Sequence, residues 1–272
     1  MIETRKNRTL IEAAGSYIEL IYHSIVRDIR KSSGSASLGL LAEIATTLMM
    51  IGMFYALYTF IGLKGMAIRG DFVVFLLTGI FLYLTHNKAI TAVMSAANAA
   101  SPIMKHAPMT TIVSILSSAF AALYLQIIAF AIILFFVHVL RGGLEFYDPA
   151  GLILPFFLSW ASGCTIGLLF MVVMPLAPRL VGMIAQLYKR ANMITSGKML
   201  PANLMSASMV QWFDWNPLFH TIDQSRGYAF VNYFPRNSNM EYPIYFILAA
   251  LMIGLLGERW LTKNISVSWG KR

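Results

Sequence analysis

Residues 106–140 read HAPMTTIVSILSSAFAALYLQIIAFAIILFFVHVL and contain no Lys, Arg, Asp or Glu. An apolar run of 18 residues or more is long enough to cross the hydrocarbon core of a bilayer as a helix. A second uncharged run covers residues 149–178. Soluble helices are shorter and striped, with polar residues on one face. The bulk composition agrees: of 272 residues, 58% are hydrophobic and only 12% are charged, where a soluble domain carries about 25% charged residues. The chain is therefore expected to be an all-α, polytopic membrane protein, with membrane lipid as its surroundings.

Working outward from these runs, the pattern predicts six transmembrane helices at about 38–63, 71–91, 109–139, 150–174, 179–200 and 244–261. Together they form a six-span domain over 38–262. The fifth is the weakest because it holds Lys189, Arg190 and Lys198. Ahead of the spans, apolar residues at Leu10, Ile11, Ala14, Tyr17, Ile18, Ile21, Ile25 and Ile29 recur every three or four positions. That spacing makes 10–31 an amphipathic helix within a 1–37 cytoplasmic segment. Such a helix suits the plane of the membrane interface, or the surface of a cytoplasmic partner. The segment 201–243, between spans five and six, holds eight aromatic residues from Trp212 to Phe234 among polar ones. It is expected to form re-entrant or interfacial helices. A short basic tail, 263–272, follows.

The net charge of +9 lies beside the apolar runs, so orientation explains it better than nucleic-acid binding. With the N-terminus inside, the inner segments hold thirteen Lys and Arg and the outer ones five; the other three lie in span five. Lys and Arg concentrate on the cytoplasmic side, so both termini are expected in the cytoplasm. Glu12 and Glu19 interrupt the apolar core that a cleavable signal needs. Cys164, the single cysteine, reads as a small packing residue.

No catalytic motif is evident. Ser196-Gly197-Lys198 is a fragment of a nucleotide-binding loop without its earlier glycine and following Ser or Thr. The chain is therefore expected not to be an enzyme, to bind no cofactor and to hold no metal. His23, His86, His106, His138 and His220 are scattered; His220 and Asp223 could share one helix face. Charges at bilayer depth are costly and tend to face a bundle interior or a watery path. That makes Glu43, Lys189, Arg190 and Lys198 candidate channel-lining residues. The alternative for the span-five bases is snorkelling to an interface, which is also the reading for Lys88. The aromatic segment is read either as a binding surface for sugars or as an interfacial belt.

Several short motifs occur in a telling order: Val26-Arg27-Asp28-Ile29-Arg30, then Leu38-Gly39-Leu40-Leu41, Ser101-Pro102, and Trp215-Asn216-Pro217-Leu218 with Arg226 beyond. On a six-span frame this order resembles the ABC-2-type permeases that export bacterial capsule and O-antigen polysaccharides. The resemblance covers nearly the whole chain; span five departs from it in its extra bases. It implies a permease homodimer in the bacterial inner membrane, paired with two copies of a separate ATPase that binds the ATP. It further implies that Ser101, Pro102, Lys105, His106 and Pro108 belong to the loop that docks on that ATPase. Spans one and five would line the channel, and Trp212, Trp215, Asn216, Pro217 and Arg226 would belong to an outer gate. A polysaccharide is the implied substrate, and a periplasmic export protein a further partner. Two rival functions share parts of the pattern: an ABC-2 permease for a lipid or drug, and a membrane-embedded transferase. The second would need acid, base or metal groups converging at one depth.

Overall fold

The computed structural model describes residues 10–31, 36–62, 70–96 and 111–269. The described chain is helical: α1 (Leu10–Lys31), α2 (Ala36–Ile61), α3 (Phe72–Ala96), α4 (Thr111–Arg141), α5 (Ile153–Val173), α6 (Pro178–Thr195), α7 (Ala207–Phe213), α8 (Pro217–Ala229) and α9 (Glu241–Trp269), with a 3₁₀ turn at Ala202–Leu204 before α7. Five helices are long and apolar enough to cross a membrane: α3, α4 and α5 throughout, α2 over Ser37–Ile61 and α9 over Glu241–Trp260. The expected fifth span falls on α6, which has 18 residues and carries Arg179, Lys189 and Arg190. At 1.5 Å per residue it is about 27 Å long, but its three bases leave it outside the five helices apolar enough to cross.

The bundle is built around α3. In its most apolar stretch 83% of residues are buried, against 11% in α2 and 17% in α9. Without water there is no hydrophobic force between helices, so close packing and polar contacts must hold them. Alongside α5, α3 shows both. A Cβ on Gly163 would strike the His86 carbonyl, and one on Gly167 would lie 2.8 Å from the Ile90 carbonyl oxygen. Two glycines one turn apart thus let the helices touch backbone to backbone. Gly254 and Gly257 of α9 instead make room for the side chains of Leu168 and Val172 of α5. Cys164 packs against the cluster of Val93, Ala119, Leu168 and Met171, as a small packing residue would.

Helix α4 crosses α3 antiparallel, and Arg141 at its end pairs with Asp71 at 2.5 Å. We call this the upper end of the bundle. At the opposite, lower end, α1 packs along α4. Asp28 accepts hydrogen bonds from Ser117 Oγ (2.9 Å) and Ser118 Oγ (3.1 Å), and Ile29 packs with Ala121 and Leu125. The Arg27-Asp28-Ile29 motif is therefore the seam that fastens α1 to the bundle. Ile18 and Tyr22, on another side of α1, stay 68% and 63% exposed.

Helix α2 is attached at two levels. In its lower half Glu43 accepts from Lys88 Nζ of α3 at 2.7 Å and from Gln126 Nε2 of α4 at 2.9 Å. One carboxylate thus joins three helices. Replacing Glu43 with leucine would leave both donors without their acceptor. Lys88 is 38% exposed along its side chain and can reach for polar surroundings, which softens the penalty. The expected loss is about 1–2 kcal/mol, with a smaller loss for Glu43→Gln. Heat-induced unfolding in detergent would measure it.

Candidate functional site

Helix α6 ends at Thr195, short of the residue-200 boundary expected from the sequence. Gly197 adopts the left-handed conformation with φ 68°, which costs glycine little and ends helices. Pro201 cannot resume the helix because it has no N–H. Residues 196–201 therefore run non-helical through the upper half of the bundle beside α3. Backbone of this kind survives at membrane depth only where protein supplies its hydrogen bonds.

Four successive carbonyls in this break find donors on other elements. Arg226 of α8, fully buried, donates from Nη1 to Gly197 O at 2.8 Å and to Leu200 O at 3.4 Å. Its Nη2 donates to Lys198 O at 2.8 Å. The Tyr58 hydroxyl of α2 donates to Met199 O. The guanidinium lies 4.3 Å over the Phe75 ring, which offers it a negative π face. Gly79 of α3 gives the break room, since a Cβ there would lie a tight 3.0 Å from Lys198 O and 3.3 Å from Arg226 Nη2. The planar, multi-donor geometry of arginine suits this work better than the point charge of lysine.

The other edge of the break is clipped by the start of the same helix. Asn216 caps α8, its side chain accepting from Leu218 N at 3.0 Å, and Pro217 occupies the first turn, where a missing N–H is harmless. The Asn216 amide also donates to Asn192 Oδ1 (2.8 Å) and Thr195 Oγ1 (2.9 Å) in the last turn of α6. Asn216, Pro217 and Arg226 are thus brought to one structural element that holds the break from both sides. Helix α8 points its start into the bundle and returns upward: Tyr147 N and Asp148 N donate to Ala229 O and Tyr228 O at its far end. Within the segment 201–243, α8 is thus inserted among the helices while α7 stays at the surface. Trp212 and Trp215 lie on the segment's exposed side at 75% and 48% exposure, with Trp215 Nε1 donating to Trp212 O at 2.7 Å.

The cations of the fifth span fare differently from one another. Lys198 is buried, its Nζ 3.5 Å from the Tyr83 ring, 4.8 Å from the Phe54 ring and 3.8 Å from Met50 Sδ. In this conformation it faces the bundle interior. Lys189 donates to Thr91 Oγ1 at 3.2 Å and lies near enough to Lys88 for their charges to repel. Arg190 is exposed. His220 and Asp223 do not come together. His220 Nε2 contacts Asp214 Oδ1 at 3.1 Å, whereas Asp223 accepts from Tyr233 Oη and from Ser238 Oγ at 2.7 Å. The loop residues Ser101, Pro102, Lys105, His106 and Pro108 lie outside the described residues.

Sequence reading missed two relationships. It treated Glu43 and Lys88 separately, although a single acid in one span and a single base in the next is a pairing signal. It also passed over Gly163-Cys164-Thr165-Ile166-Gly167, a small-xxx-small pattern that marks close helix approach.

A central helix packed through glycines, surrounded by further helices long and apolar enough to cross a membrane, defines a polytopic helical membrane protein, in which the break after α6 is braced from inside. No family model matches the chain. It is similar to the polysialic acid transport protein KpsM of Escherichia coli, of which two versions are each 25% identical over 185 residues, 68% of this chain and 71% of theirs. This similarity bears out the resemblance to the ABC-2-type transport permeases of polysaccharide export.

Proposed function

We propose that this chain is the membrane permease of an exporter that carries a capsular polysaccharide across the inner membrane, with a separate ATPase subunit supplying the force. The similarity to KpsM over more than two thirds of both chains carries this reading. The chain works as a homodimer: α2, mostly unburied in the monomer, and α6, which exposes Leu180, Met183 and Leu187, are the free faces expected beside a shared channel. The upper end of the bundle lies outside the cell, and both termini lie in the cytoplasm. The braced break and the Trp212–Trp215 surface form the outer gate. Lys189 and Arg190 present positive charge along the inner half of the path, which suits an acidic polymer. The segment carrying Lys105 and His106 docks on the ATPase, and a periplasmic protein receives the polymer outside.

One observation favours a lipid as part of the cargo. A groove of about 200 Å³ between α2 and α7, lined by Leu57, Tyr58, Ile194, Met199, Met209 and Phe213, is almost wholly apolar. It would suit an acyl chain attached to the exported molecule. Removing the gene is expected to trap polymer in the cytoplasm and strip it from the cell surface. Normal surface polymer in the deletion strain, scored with a capsule-specific antibody, would refute export as the role.

A further inference from the structure

The seam between α3 and α6 differs in kind from the glycine-packed seam between α3 and α5. His86 of α3 is fully buried. Its Nδ1 lies 3.1 Å from Ser159 O and 3.0 Å from Ser162 Oγ of α5. A carbonyl can only accept, so Nδ1 carries the proton and Nε2 presents a lone pair. That Nε2 has no hydrogen-bond partner among the described residues. Across from it, the His86 and Tyr188 ring centroids are 6.4 Å apart, and Tyr188, Asn192 and Ser196 follow at four-residue spacing on one face of α6 and its cap. The Tyr188 hydroxyl lies close to the Asn192 side chain and meets no geometrically sound hydrogen-bond partner among the described residues. Asn192 Oδ1 is taken by Asn216, but Asn192 Nδ2 and Ser196 Oγ are unpartnered as well.

Three polar side chains thus bring buried, unpartnered atoms to one level of the seam, an acceptor on α3 and an amide and a hydroxyl on α6, while Ser196 lies two turns, about 12 Å, beyond Tyr188. Buried polar atoms of native proteins are nearly always satisfied. Ordered water is satisfied by two to four polar partners, and it can donate to His86 Nε2 while accepting from Asn192 Nδ2 or Tyr188 Oη. We propose that the α3–α6 seam holds an internal water-binding site formed by His86, Tyr188 and Asn192. Water exchanges hydrogen-bond partners readily, so this seam lets α6 slide or tilt against α3, while the α3–α5 seam, with backbones in contact, moves as one body.

Radiolytic footprinting of the full chain in lipid nanodiscs, in heavy-oxygen water, tests this. Water bound in place is converted to hydroxyl radical and marks its neighbours. His220 is the internal reference: it is equally buried, but both its ring nitrogens are engaged, Nε2 with Asp214 and Nδ1 with Asn239 N. His86 is expected to take up heavy oxygen about fivefold faster than His220, given a resident water beside it. Asn192→Leu should lower the His86 rate severalfold and leave that of His220 unchanged. Tyr188→Phe, a smaller change that removes only the hydroxyl and preserves the Asn216 clip, should lower it in the same direction. Labelling of His86 no faster than His220, or a His86 rate that neither variant alters, overturns the proposal.

Discussion

Replacing Arg226 with leucine is expected to destabilise the protein by about 3–5 kcal/mol and to abolish export. Two effects compete. Removing a buried guanidinium relieves its desolvation cost. Against this, the carbonyls of Gly197, Lys198 and Leu200 lose the donors that Arg226 supplies. Those carbonyls belong to the backbone and remain whatever the side chain, and no bulk water reaches them. Each buried acceptor left unmade costs about 1–3 kcal/mol, so the loss outweighs the relief. Arg226→Lys keeps a cation but not the fork, and should recover only part of the stability. Thermal unfolding in detergent, together with surface polymer in cells, gives the readout. A leucine variant as stable as the natural protein would mean that the break is held by something other than its arginine.

The second large effect is expected at Gly163. A valine there would drive its side chain into the His86 carbonyl, with Ala89 Cβ already 3.0 Å from the position of the first carbon. Overpacking typically costs 1–3 kcal/mol, and about 3 kcal/mol or more is expected here because backbone, not a flexible side chain, must give way. Parting α3 from α5 would also stretch the hydrogen bonds from His86 to Ser159 and Ser162. Gly182 of α6 is the control. A Cβ there meets nothing within 4 Å in this chain, and alanine is a better helix former than glycine by about 1 kcal/mol. Gly182→Ala should therefore be neutral or slightly stabilising, while Gly163→Val should fail to yield a monodisperse protein on size exclusion. Equal behaviour of the two variants would contradict the packing assigned to α3 and α5.

The helices were legible because their signal is compositional. A run such as 111–140 has one favourable state in a bilayer, and α2, α3, α4, α5 and α9 begin within about three residues of where the apolar pattern starts. The Asn216-Pro217 and Arg226 elements were also legible as motifs, but their purpose was not. Ten residues separate Asn216 from Arg226, and nothing in that spacing says that both clasp the same break in α6. Lys198 shows the opposite limit. Its position in an apolar segment marked it as a candidate for a channel wall, but nothing local showed that Tyr83 and Phe54, more than a hundred residues earlier in the chain, lie against its ammonium.

Hydropathy acts residue by residue along the chain, so the sequence alone determined that this protein lives in a membrane, roughly where it crosses, and which family's motifs it carries. Which polar groups meet depends on distances between helices that no local pattern encodes. Only the tertiary structure could decide that Glu43 joins three helices, that α6 stops early, and that Arg226 replaces the missing helical hydrogen bonds. The physical reason is that a hydrocarbon solvent offers buried polar atoms no partner, so each must be met by another part of the fold.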